Sequence, residues 1–246
     1  KLAHGEVESF ATPRRLGLLV RDCDTRQPDR TIERRGPAVQ AAFDGEGNPS
    51  KAAEGFARSC KTTLDYLSRI KTDKGEWLMY RLEETGKPAM ELLPGIAEQA
   101  LNKLPIPKRM RWGDSDAQFV RPVHWLVFLL GDQVVPCTLL DAVAGNVSYG
   151  HRFHHPAPIR IDAPRDYASV LESTGKVIAH FEQRRQYIKE HVERTAEALG
   201  GFPQLDPELL DEVTALNEWP VPIAGNFEEK YLDVPHEALI LTMKKN

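Results

Sequence analysis

Lys103-Leu-Pro-Ile-Pro-Lys-Arg-Met-Arg-Trp-Gly-Asp-Ser-Asp-Ala-Gln-Phe-Val-Arg121 is the stretch on which the reading of this chain turns. Pro105 and Pro107 fix φ at two positions and remove two backbone donors. The run that follows therefore cannot be the middle of a helix. Upstream, Leu92, Leu93, Ile96, Ala97, Ala100, Leu101 and Leu104 recur at helical spacing. Downstream of Arg121-Pro122, Val123 to Leu130 is almost wholly apolar and reads as a buried strand, turned by Gly131-Asp132 into a second strand from Val134 to Leu140. The stretch is thus a hinge between helical and strand patterning. It carries five positive charges, on Lys103, Lys108, Arg109, Arg111 and Arg121, against Asp114 and Asp116.

Working outward, Glu6 to Phe10 alternates as a strand, Thr12-Pro13-Arg14-Arg15 breaks it, and Leu16 to Val20 is a second apolar run. Thr25 to Arg35 is polar and reads as a loop with three close arginines, Arg30, Arg34 and Arg35. Pro37 opens a short helix through Phe43, and Asn48 caps a second with Pro49 at its first position and Ala52, Ala53, Phe56 and Ala57 on one face. Arg69 to Leu82 reads as a hairpin turning at Asp73-Lys74-Gly75.

In the second half, Gly145-Asn146 starts a loop. Ile159 to Ile161 and Gly175 to Ala179 are short strands, with a short helix from Asp166 to Leu171 between them. Phe181 to Leu199 is an amphipathic helix whose stripe is Phe181, Ile188, Val192, Ala196 and Leu199, with Gln183, Arg184, Lys189, Glu190 and Glu193 on the other side and Gly200-Gly201 as its stop. Asp206-Pro207 caps a helix to about Leu216, Trp219 to Gly225 is extended, and Pro235 opens a last helix. Helices and strands mix without strict βαβ alternation. The expected class is therefore α+β, with mainly antiparallel sheets, packed helices and two subdomains: an N-terminal α+β region over 1–104 and a central one over 105–246 that holds the basic segment.

At 246 residues, with 41% hydrophobic and 28% charged content, the chain is ordinary for a folded protein and can bury a sizeable core. Its net charge of −4 gives no global pull toward nucleic acid, so any such binding must be local. Cys23, Cys60 and Cys137 are odd in number and far apart, which speaks against a disulfide framework and for a reducing compartment. No apolar run approaches the length of a membrane span. A first residue of Lys and the unpunctuated Met243-Lys-Lys-Asn246 read as the cut ends of a longer protein with no signal peptide, and the expected location is the cytoplasm.

Three candidate sites emerge. In the opening stretch, a stiff basic segment with Trp112 among its arginines suits phosphate and stacked-base contacts; its reading without function is solvated charge around a core tryptophan. In the second, His151-Arg152-Phe153-His154-His155, three histidines fall in five residues, but Gly150 and Pro156 deny the helix that would align them. With no HExxH and no CxxC, phosphate or RNA contact by His151 and Arg152 is the better functional reading, beside a buried structural histidine. The pairs Arg14-Arg15 and Arg184-Arg185 could extend an RNA track or be plain surface, while Glu208, Asp211, Glu212 and Glu218 read as a solvated acidic face, with a partner surface as the alternative. Glycine-rich nucleotide loops and a GxSxG elbow are missing from the sequence, so no catalytic residue is assigned. The RNA-contact candidates are Lys108, Arg109, Arg111, Arg121, His151 and Arg152.

Eleven sequence words then fall in order along nearly the whole chain. They are Ala11-Thr-Pro-Arg-Arg-Leu16, Arg35-Gly-Pro-Ala-Val39, Asn48-Pro-Ser-Lys-Ala-Ala-Glu-Gly-Phe-Ala57, Lys74-Gly-Glu-Trp-Leu78, Leu104-Pro-Ile-Pro-Lys-Arg-Met-Arg-Trp-Gly113, Phe119-Val-Arg-Pro-Val-His124, Gly150-His-Arg-Phe153, Gly175-Lys-Val-Ile178, Leu209-Leu-Asp-Glu-Val213, Glu218-Trp-Pro-Val221 and Val234-Pro-His-Glu-Ala-Leu239. Together they resemble the β subunit of the bacterial two-subunit glycyl-tRNA synthetases. The resemblance implies an N-terminal part of β in an α₂β₂ enzyme that joins glycine to tRNA(Gly) and releases AMP and diphosphate from ATP. It implies as partners the α subunit, which would use ATP and magnesium at its adenylation site, the tRNA and a second β chain, with no cofactor in this piece. Its expected role is tRNA binding and subunit assembly; the alternatives are a protein-interaction scaffold or an editing-type hydrolytic domain. Ser148-Tyr149 before Gly-His-Arg-Phe, Lys61 after Cys60 and Asn217 before Glu-Trp-Pro depart from the pattern.

Overall fold

The computed structural model describes residues 1–73 and 75–244. Lys74, in the expected hairpin turn and at the head of one sequence word, and Lys245 and Asn246, in the unpunctuated end of the chain, lie outside the described residues. The chain divides into two compact units, 1–3 with 23–92 and 4–22 with 93–246.

The second unit takes the first hairpin, β1 (Val7–Thr12) and β2 (Arg15–Val20). Thr12 pairs with Arg15, so Pro13-Arg14 is a two-residue turn. Alternation sends Phe10 and Leu19 into the core, and Arg15 with them, while Leu16 and Leu18 face outward.

The first unit holds a three-stranded antiparallel sheet of β3 (Arg30–Ala38), β4 (Ser68–Thr72) and β5 (Gly75–Glu84), with β5 in the middle. The expected Arg69–Leu82 hairpin is there, with Thr72 paired to Gly75. The expected loop over Thr25–Arg35 is not: its second half is β3, because Glu33 and Arg30 pair across the ladder with Arg81 and Glu84 and so satisfy charges that looked like loop composition. Pro37 closes β3 rather than opening a helix, and a short helix α1 follows (Val39–Ala42). Ser50, not Asn48, caps α2 (Lys51–Ser59); its Oγ accepts from the Ala53 N–H at 3.4 Å. Asn48 instead donates to Asp44 in the preceding turn. Ala53 and Ala57 of α2 are buried, whereas Ala52 is exposed. Leu78 packs with Ala42 and Ala53 as this unit's core, flanked by Val39, Phe43 and Phe56.

The amphipathic helix of the opening reading is α3 (Ala89–Lys103). The basic stretch after it is, as the prolines require, non-helical: it folds back as β6 (Met110–Arg111) on β7 (Gln118–Phe119). The single buried strand expected from Val123 to Leu130 is instead two half-buried fragments, β8 (Leu126–Val127) and β9 (Leu129–Leu130). Its return is likewise split, into β10 (Gln133–Val134) and β11 (Thr138–Leu139), because Pro136 cannot donate to a ladder. Gly145 ends a strand, β12 (Ala142–Gly145), rather than starting a loop. β12 pairs parallel with β8, the one parallel ladder among the described residues. The pair β13 (Val147–Tyr149) and β14 (Pro158–Arg160) follows, and then α4 (Tyr167–Ser173).

Gly175–Ala179, expected as a strand, joins no sheet: Gly175 lies in a turn and Lys176 has a left-handed φ of +56°. It is nevertheless central: Val177, Ile178 and Ala179 are buried, and the Ile178 N–H donates to the Glu218 carbonyl at 2.9 Å. α5 (Phe181–Ala198) ends at Gly200, whose φ of +73° is the left-handed stop that glycine adopts freely. α6 (Pro207–Leu216) is capped by Asp206, which accepts from Glu208 and Leu209, and α7 (His236–Lys244) closes the described chain. The second core gathers Phe10, Leu19, Ile159, Ile161, Leu171, Val177 and Ala179. The whole is α+β with mostly antiparallel small sheets and packed helices, as expected.

Candidate nucleic-acid interface

The β1–β2 turn is where the second unit concentrates its charge. Arg15, directed inward by strand alternation, is 7% exposed. It forms an ion pair with Glu218, itself 6% exposed, and donates to the Gly150 carbonyl at 3.1 Å and to the Tyr149 carbonyl. The Thr12 hydroxyl donates to the same carboxylate at 2.8 Å. Glu218 therefore does not belong to the acidic face on which the sequence put it. α6 ends at Leu216, and the chain turns Glu218 inward against Arg15. Glu208, Asp211 and Glu212 remain exposed.

Arg184 is the second correction. Expected on the solvated side of α5, it is wholly buried. Its guanidinium donates to the carbonyls of Thr214 at 3.0 Å, Ala11 at 2.7 Å and Ile178. One side chain thus fastens the end of α6, β1 and the Gly175–Ala179 segment to α5. Thr214 lies in the last turn of α6, so its carbonyl has no helical donor, and that end of the helix dipole is negative. Burial lowers the Arg184 pKa and nearby Glu218 raises it, the balance being a lowering. The signal was in the sequence: Phe181, Arg184 and Ile188 are three and four residues apart, which puts Arg184 on the apolar stripe. Arg15 and Arg184 are framework. An RNA track can draw from these pairs only on Arg14 and Arg185, and Arg185 is already paired with Asp211.

Above this framework lies a surface of cations and rings. Arg14 keeps 34% of its side chain exposed, donates to the Gly150 carbonyl at 3.3 Å and lies 5.5 Å from the Trp125 ring centre. Trp125 meets Tyr149 edge-on at 5.3 Å. Burial, Arg15 and Arg152 lower the Arg14 pKa, and Glu218 opposes them. Arg152 is thereby near enough to Arg14 to form one local positive field, and it is exposed. Phe153 beside it is 83% exposed.

The 150–156 loop that carries Arg152 is held by its first residues. A Cβ on Gly150 would stand 2.3 Å from the His155 carbonyl oxygen, so only glycine fits. The His151 N–H donates to the Gly175 carbonyl at 2.7 Å, and its Nδ1 accepts from the N–H groups of Phe153 and His154, both at 3.2 Å. A ring nitrogen that accepts two bonds carries no proton. Consistently, burial first and then the neighbouring His154, Arg14 and Arg15 lower the His151 pKa, against Glu218. His151 is thus a neutral loop pin whose remaining ring nitrogen is a donor; it adds no positive charge at neutral pH. Among the described residues no group of three or more His, Cys, Asp and Glu is arranged to hold a metal.

The other candidates make different contacts. Lys108 and Arg121 are exposed. Arg111 pairs with Asp116 at 3.2 Å in the open. Arg109 donates to the carbonyls of Leu101 and Asn102 at 3.4 and 3.2 Å, and so caps the C-terminal end of α3. Trp112 is half-buried. Among the described residues, no hydrogen bond or ion pair joins these four cations to His151 or Arg152.

Proteins similar to this chain are subunits of aminoacyl-tRNA synthetases. The family model described as Glycyl-tRNA synthetase beta subunit matches residues 1–246, and the chain belongs to that family. Among its relatives, the glycine–tRNA ligase β subunit of Hahella chejuensis is 52% identical over 246 residues, which is 100% of this chain and 36% of the relative. That of Cronobacter sakazakii is 54% identical over 243 residues, 99% of this chain and 35% of the relative. The chain thus spans about a third of the length of these relatives.

Proposed function

We propose that this chain is a tRNA-binding and assembly portion of a glycine–tRNA ligase, positioning tRNA(Gly) while the acyl chemistry takes place on a partner α subunit. In this reading the α subunit holds ATP, magnesium and glycine, and a second β chain completes the assembly in the cytoplasm. The observation that carries it is the Arg14–Arg152 surface: two accessible guanidinium groups beside an exposed phenylalanine and a tryptophan, set on a buried ionic framework. Positive charge with aromatic faces is what a phosphate backbone and unstacked bases bind. Lys108 and Arg121 are accessible, Arg111 is already paired with Asp116, and Arg109 is already spoken for as a helix cap.

The test is tRNA affinity as a function of salt. Each of Arg14→Ala, Arg152→Ala, Lys108→Ala and Arg121→Ala that removes a phosphate contact flattens the log–log slope by about one unit. Unchanged affinity and slope in all four would remove the RNA role. A scaffold role would then be favoured by the commitment of Arg109 to α3 and of Glu218 to Arg15.

A further inference from the structure

Beside Trp125 the second unit has an open recess of about 280 Å³ that the readings above leave unused. Its walls include His124, Trp125, Asp141, Val143, Val147 and Tyr149. Val143 is 75% exposed, and Val147 and Tyr149 are also open to solvent, so apolar side chains and polar groups face water together in the lining. At this volume, near the lower end of the roughly 300–1,000 Å³ of small-ligand sites, it suits one ring system rather than a whole nucleotide.

The polar groups at its edge narrow the chemistry. Leu139 pairs with Ala142, so Leu140 and Asp141 form a two-residue hairpin turn, with φ of +51° and +63°. Leucine resists that conformation, and the usual residues there are asparagine and glycine. The turn places Asp141 among the residues that line the recess, and its negative charge repels an anion and suits an N–H edge. Arg14 lies against the Trp125 ring at 5.5 Å and offers the cation just outside.

We propose that this recess receives one unpaired nucleobase of the bound RNA. Trp125 and Tyr149 form its aromatic wall, Asp141 accepts from the base's N–H groups, and Arg14 holds the adjoining phosphate. A carboxylate has two acceptor oxygens, and guanine presents two neighbouring donors, N1–H and N2–H, where the other bases present fewer, so guanine is the preferred occupant. The inference rests on the RNA-binding reading for the source of the base.

The experiment labels the full-length protein with 5-fluorotryptophan, assigns the Trp125 signal with Trp125→Phe, and adds GMP, AMP, CMP and UMP separately at millimolar concentration. tRNA(Gly) affinity against salt is measured on the same samples. GMP is expected to shift the Trp125 signal at lower concentration than the other three. Asp141→Asn, which keeps a side chain suited to positive φ, is expected to erase that preference. It and Tyr149→Ala should each weaken tRNA binding about tenfold with the salt slope unchanged, whereas Arg14→Ala lowers the slope by about one. If no nucleotide moves the Trp125 signal while tRNA still binds, the recess is not a base site and the RNA reading survives. If GMP moves it in a protein that does not bind tRNA, the recess stands as a nucleobase site and the RNA reading fails. A Trp125 signal moved by a partner subunit and by no nucleotide makes the recess a protein contact and overturns the proposal.

Discussion

Glu218 collects three groups around one carboxylate: the buried Arg15, the Thr12 hydroxyl at 2.8 Å, and Arg14 at 3.9 Å. A buried pair of this kind contributes little net stability over an apolar pair of equal size, but removing one partner strands the other charge, at a cost of about 3–5 kcal/mol. Glu218→Ala is therefore expected to lower the denaturant midpoint sharply without changing the slope of unfolding. The double change Arg15→Met with Glu218→Leu should recover most of the loss. If the single variant unfolds at the parental midpoint, the pair is not the anchor of the β1–β2 turn. Arg184 works differently: its main partners are carbonyls on three separate segments. Lysine, a compact ammonium on a flexible stem, cannot reproduce that planar fork.

The 150–156 loop is the element that presents Arg152, and its conformation depends on a neutral His151. The folded pKa of this imidazole is lowered from its ordinary value, mainly by burial. The unfolded chain thus binds the proton more readily. The loop's stabilisation is fully present above the ordinary histidine pKa of about 6.5 and is lost as pH falls from there through the folded pKa. NMR titration is expected to place His151 below the ordinary histidine value of about 6.5. His151→Asn, whose amide oxygen can still accept from the loop N–H groups, should flatten this part of the pH dependence. A His151 that titrates at or above about 6.5 would contradict the neutral pin. On α3, Arg109→Ala is expected to cost about 0.5–1 kcal/mol by uncapping the helix end. It should alter tRNA affinity less than Arg152→Ala does, and a larger effect would return Arg109 to the interface.

Across the whole molecule, the described residues from 199 to 243 expose many large apolar side chains, Phe202, Leu216, Ile223, Phe227 and Leu241 among them. β2 likewise turns Leu16 and Leu18 outward while burying Arg15. Exposed apolar side chains in this number favour association. The 246-residue chain is expected to self-associate with rising concentration in sedimentation experiments, and Leu241→Lys with Ile223→Lys to reduce it. A strictly monomeric chain at all concentrations would refute the expectation. Among the described residues no helix is long and apolar enough to cross a membrane.

What was legible in the sequence depended on the range of the interaction that decided it. Pro105 and Pro107 excluded a helix through the basic run because their constraint is local, and Asp206-Pro207 and Gly200 marked helix ends for the same reason. The α3 and α5 periodicities and the Arg69–Leu82 hairpin were readable because neighbouring residues carry them. β3 was not, since its arginine and glutamate become strand residues only through partners about fifty positions away on β5. The Gly175–Ala179 segment had a strand's composition but found its hydrogen bonds at Leu171, Glu218 and Arg184 instead of in a ladder.

For the candidate site, sequence by itself determined the family and which residues carry charge. Only the tertiary structure decided which charges are free to act. Arg14 and Arg15 are adjacent, yet strand alternation buries one against Glu218 and leaves the other at the surface. Arg184 and Arg185 part in the same way across the face of α5. A guanidinium looks alike in sequence wherever it falls; whether it meets a carbonyl, a carboxylate or water is settled by segments brought together from distant parts of the chain.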